Sequence, residues 1–182
     1  MTADRTRVAY HEAGHAVCAI LLGERFDSVT IKPSGEVDGR VEGFLGWLED
    51  RGGAVRTAMV RFAGPLAEAF MTPGLASSLA KTDAGDPASA VGAHNDWADA
   101  EDALSALWEG RGAFARRYVR TMWRTGALLR SEENLARIGK LAGALLERES
   151  LTFYEALEVC ESDDNVLERF GLVRAYDAEG EK

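Results

Sequence analysis

The chain has 182 residues, 46% of them apolar and 28% charged, and its 19 Gly and 4 Pro are too few for a low-complexity or collagen-like chain. A formal net charge of −9 gives a surface that repels phosphates and so argues against nucleic acid as a partner. Two cysteines, Cys18 and Cys160, make no disulfide framework, and the early apolar run from Ala16 to Leu22 falls far short of the ~20 residues that span a bilayer; the expectation is a cytoplasmic protein without a membrane partner.

From Asp4 to Leu22 the apolar positions Val8, Ala16, Ala19, Ile20 and Leu22 recur at helical spacing, and Gly23 supplies a stop. The runs Val29-Thr-Ile-Lys-Pro33 and Arg40-Val-Glu-Gly-Phe44 flank turn residues Ser34 to Gly39 and read as a β-hairpin. Ala54 to Met71 is helical and mostly apolar, with Pro65 inside it predicting a kink or break. Ser77 to Ala93 has no clear period and reads as loop, after which a helix capped by Asn95 is expected to run to about Trp108. Ala113 to Leu129 and Glu132 to Glu149 are helical, the second with Ser131 as N-cap, and Thr152-Phe-Tyr-Glu155 matches a capping box opening a last short helix. No internal repeat or long linker appears, so residues 1–176 are expected to form one domain, followed by a charged, frayed tail at 177–182. The fold class is mainly α with a small β-hairpin or sheet (α+β).

The chemistry concentrates in His11-Glu12-Ala13-Gly14-His15, an H-E-x-x-H run on the first helix. At about 100° per residue His15 lies about 40° round from His11 and one turn along, so the two imidazoles can share one ion. Glu12 stands beside that ion, placed to take a proton from its water, which is the arrangement of zinc-assisted hydrolysis. Gly14, costly by about 1 kcal/mol inside a helix, implies close approach of another backbone.

A third ligand is not supplied by the same helix, because Leu21 stands where a longer zinc motif would place histidine. Four candidates are weighed. Asp96 is the one carboxylate of its acidic helix turned toward the apolar stripe of Trp97, Ala100, Ala103, Leu104 and Leu107. Glu68 is the lone acid of an apolar helix and reads as a ligand or as an acceptor for a ligand's ring N–H. His94 sits in loop and offers an imidazole to bind metal or to polarise a substrate carbonyl, a surface position being the plainer reading, and Cys18 falls on the His11 face, where core packing accounts for it.

Taken together, Tyr10-His-Glu-Ala-Gly-His15, Val29-Thr-Ile-Lys-Pro33, Ala63-Gly-Pro-Leu-Ala-Glu68, Gly92-Ala-His-Asn-Asp96 and Leu141 to Leu151 resemble, in order and spacing, the peptidase domain of the FtsH-type zinc metalloproteases, peptidase family M41. The resemblance implies a mainly helical domain holding Zn²⁺ through His11, His15 and Asp96, with Glu12 as general base and Glu68 beside the metal. Members of that family carry an AAA ATPase module and a membrane anchor ahead of this domain, whereas nine residues precede Tyr10 here; the expectation is a peptidase domain without either.

The sequence thus points to a zinc endopeptidase acting on flexible or unfolded polypeptides, with the Arg40, Val41, Glu42 strand and His94 as substrate-binding candidates. A catalytically degenerate domain serving as a binding or regulatory module is the alternative. The sequence leaves open a homo-oligomer and an ATPase acting in trans.

Overall fold

The computed structural model describes residues 3–33, 39–44, 51–72, 87–105 and 111–160, apart from the side chains at 3–4, 51, 87–94 and 111. The elements run α1 (Ala3–Leu22), β1 (Ser28–Thr30), β2 (Arg40–Glu42), α2 (Arg51–Met71), α3 (Pro87–Ser105), α4 (Arg111–Leu129), α5 (Glu132–Arg148), β3 (Ser150–Thr152) and α6 (Phe153–Cys160). The mainly helical class with a small sheet is therefore what the chain adopts. The tail and the end of the expected domain, like the residue 34–38 turn, lie outside the described residues.

α1 ends where Gly23 takes a left-handed φ of 76°, a conformation that costs other residues a Cβ clash. That turn lets Glu24 N–H reach the Ala19 carbonyl at 2.9 Å and drops the chain into β1. The sheet has the order β2-β1-β3, all antiparallel, with Val29 at its centre paired to Val41 on one side and Leu151 on the other. Val29 and Leu151 are buried in a core shared with α1, α5 and α6, so the sheet packs on the H-E-x-x-H helix. A smaller core of Ala58, Phe62, Ala100, Ala103 and Leu104 joins α2 to α3, with Phe114 and Tyr118 of α4 packed against it. α2 lies between the two cores and contributes buried residues to both.

β3 is absent from the sequence reading. Its three residues carry no alternation; they become a strand because Glu149, the C-cap of α5, adopts a left-handed φ of 67° and turns the chain onto β1. The Glu149 carbonyl accepts from Ile31 N–H at 2.8 Å and Thr30 Oγ1 at 3.1 Å. The expected caps at Ser131 and Thr152 are present: Ser131 Oγ accepts from Asn134 N–H at 3.2 Å, and Glu155 accepts from Thr152 N–H at 2.8 Å.

Two expectations are corrected. Of the kink or break expected at Pro65, the break does not occur: α2 is one helix from Arg51 to Met71, since the ring removes only the N–H that would bond the Arg61 carbonyl and packing against both cores holds the helix on either side. α3 begins at Pro87, eight residues ahead of the expected Asn95 cap, so the end of the supposed loop at residues 77–93 is helical. Ala, Ser, Val and Gly give that first stretch little amphipathic contrast, yet Ala favours helix and Pro is well suited to a first turn.

Candidate metal centre

α1 and α2 cross at Gly14. A Cβ there would fall 2.6 Å from the Ala63 carbonyl oxygen and overlap the Ala67 methyl, so the close approach implied by Gly14 is real. The crossing sets the histidines of α1 against α2, and α3 brings Asp96 from the other side. His11, Glu12, His15 and Asp96 are all buried, at 5–8% exposure.

The tautomers of both rings follow from their outer partners. His15 Nδ1 faces the Val60 carbonyl at 2.7 Å and His11 Nδ1 faces Glu68 Oε2 at 3.2 Å; both partners only accept, so each Nδ1 donates. Each neutral ring then presents a lone pair at Nε2. Those two atoms lie 3.1 Å apart, and Asp96 Oδ2 lies 2.8 Å from His11 Nε2 and 3.1 Å from His15 Nε2.

Three electron-rich atoms at the corners of so small a triangle repel unless a cation lies among them. A tetrahedral ion with bonds of about 2.0–2.1 Å holds its ligand atoms about 3.3 Å apart, within a few tenths of an ångström of what is found, so His11, His15 and Asp96 form a group that could hold a metal. A proton is the smallest cation to serve. Burial alone lowers the His11 pKa, but hydrogen bonds to Asp96 and Glu68 and the charge of Glu12 overcome it and push it up to about 10. Burial would raise the Asp96 carboxyl, and the two histidines instead hold it well below the usual range.

Two further details fit a metal. Glu12 Oε2 is buried without a hydrogen-bond partner, an expensive state for a carboxylate oxygen unless something occupies the space in front of it. Burial raises the Glu12 pKa, against the opposing pull of His11 and His15. On α2, a Cβ at Gly64 would lie 2.6 Å from His15 Cε1 and 2.8 Å from His11 Nε2, filling the place of an ion. Glycine there keeps the cradle open.

Glu68 stands behind His11, on the nitrogen turned away from the cluster, and its other oxygen pairs with Arg7 Nε at 3.2 Å. Cys18 lies in the main core. The His94 backbone is helical rather than loop, and its side chain is outside the described residues. A cavity of about 230 Å³ opens onto the cluster, walled by Gly39, Arg40, Val41, Phe44, Arg61, Asn95 and Asp99. Glu42 is engaged instead by Ser28 Oγ at 2.8 Å and Arg40 Nε at 2.7 Å. Val60 and Gly64 were not singled out from the sequence: one acts through its carbonyl, which leaves no trace in residue type, and the other through a missing side chain. Gly39 is a third such position, since a Cβ there would lie 2.8 Å from Glu12 Cγ.

A helical protein with H-E-x-x-H and an inward Asp around one buried cluster is of the metallopeptidase class. The family described as Peptidase M50B-like matches residues 3–93, half of the chain, and the chain belongs to it. The family found is thus a peptidase family, as the motifs implied, but M50B-like and not M41. The matched stretch includes His11, Glu12, His15 and Glu68 and stops before Asp96, whose place beside the histidines is read from the structure alone. No curated protein matches the chain. Among the described residues no helix is long and apolar enough to cross a membrane.

Proposed function

We propose that the protein is a zinc-dependent endopeptidase in which His11, His15 and Asp96 hold the metal and Glu12 is the general base. The observation that carries this is the facing of three lone-pair atoms beside an unpartnered buried carboxylate oxygen. Zinc bound there supplies a polarised substrate carbonyl and a more acidic water. Glu12 takes the proton of the attacking water and passes it to the departing amine nitrogen; its raised pKa suits a group that must both accept and return a proton. The Val60 carbonyl and Glu68 fix the ring orientations of His15 and His11, and the Arg7 pair steadies Glu68.

Substrate is held at the outer edge of β2, which pairs with no strand among the described residues other than β1. Ile31 N–H and the Asp27 carbonyl bond toward β3, so Ser28 and Thr30 bond toward β2 through their partners Glu42 and Arg40. Alternation leaves the Val41 N–H and C=O pointing outward, beside the cavity, where an extended peptide adds as a strand. Such a passive edge accepts flexible chains. The test is hydrolysis of casein by the purified chain with stoichiometric zinc. Cleavage abolished by a chelator and restored by zinc is expected; zinc binding without cleavage of any unfolded substrate would favour a binding module.

A further inference from the structure

We propose that Arg61 is a further catalytic residue, whose guanidinium receives the carbonyl oxygen of the bond being cleaved and stabilises the charge that oxygen gains. This rests on the peptidase reading above. Arg61 is on α2, next to the Val60 carbonyl that orients His15, and lines the cavity over the cluster. Its side chain is 37% exposed, its Nη1 is 3.7 Å from Asp96 Oδ1 and its Nε 3.4 Å from Asp99 Oδ2.

Those separations are too long for the charge-assisted hydrogen bonds that a guanidinium makes at about 2.7–2.9 Å. The contrast with other arginines is direct. Arg40, the other guanidinium of the cavity, is bound to Glu42 at 2.6 Å, and Arg56 is bound to Glu24 at 2.6 Å. Arg61 alone of the two cavity arginines keeps its donors uncommitted, held near the site by carboxylates without being consumed by them.

The step balances without any new reagent. As the water oxygen bonds to the carbonyl carbon, the C=O π pair moves onto the carbonyl oxygen and the water proton goes to Glu12. When the pair returns, the C–N bond breaks and the nitrogen takes the proton from Glu12. Arg61 donates N–H groups to the oxyanion between these events and forms no covalent bond. Removing one such donor costs about 10²–10³ in kcat.

The experiment compares the full chain with Arg61→Met and Arg61→Lys in three readouts: zinc affinity by chelator competition, kcat and KM on an unfolded peptide, and affinity for a phosphinic peptide whose tetrahedral anion mimics the adduct. Arg61→Met is expected to keep zinc affinity, lose about 10²–10³ in kcat with little change in KM, and lose phosphinic-peptide affinity by a similar factor. Arg61→Lys should recover part of both losses. Zinc affinity falling along with activity would make Arg61 a prop for Asp96 and overturn the proposal, as would full activity in Arg61→Met or unchanged phosphinic binding. A parent chain that binds zinc but neither cleaves peptide nor binds the phosphinate would instead sink the peptidase reading itself, and this inference with it.

Discussion

At the residue scale the site is a set of acceptors arranged to demand a cation, and its two carboxylates of α2 and α3 do different work. Asp96 Oδ2 faces both Nε2 atoms, whereas Glu68 touches only the far nitrogen of His11. Asp96→Ala should therefore abolish tight zinc binding, while Glu68→Ala should weaken it by about 10–100-fold; chelator competition on both variants measures this, and equal losses would refute the division. The His11 pKa of about 10 has its own consequence. A group raised above its unfolded value of 6.5 binds a proton throughout neutral pH, contributing stability to the metal-free protein below about 6.5 that is lost as pH rises toward about 10. Zinc must displace that proton, so calorimetry near pH 7.5 in buffers of different ionisation enthalpy should show about one proton released per zinc. No release would mean that His11 is already neutral.

At the scale of elements, two glycines of superficially similar sequence context separate packing from site. Gly14→Ala pushes against the Ala63 carbonyl and the Ala67 methyl and should destabilise the fold by about 1–3 kcal/mol, as overpacking does. Gly64→Ala meets ring atoms of the two histidines instead, and is expected to lower zinc affinity more than it lowers the metal-free melting temperature; the reverse ranking would contradict the cradle. Gly14 announced itself because glycine is costly in a helix interior, and the histidine spacing needed only helical geometry. The inward turn of Asp96 was legible too, although α3 begins at Pro87 and not at Asn95, because the angle between a residue and the apolar stripe does not depend on where the helix starts. β3 was not legible: three residues of no periodicity become a strand only through pairing with Val29, more than a hundred positions away. Nor was the orientation of His15, set by a backbone carbonyl.

At the scale of the whole molecule the cluster ties α1 to α3 across α2, the helix that contributes to both cores, through buried polar side chains. A ligand that binds only the folded state stabilises by about 4 kcal/mol at a thousandfold excess over Kd, so zinc should raise the melting temperature of the chain by several degrees and Asp96→Ala should abolish the shift. The central claim, a metal on His11, His15 and Asp96 with Glu12 free to move protons, is tested most directly by measuring zinc content and casein hydrolysis in the same preparation of Glu12→Gln. The account predicts near-stoichiometric zinc with turnover reduced on the order of 10²-fold or more. Loss of zinc in that variant, or turnover close to that of the parent chain, would contradict it.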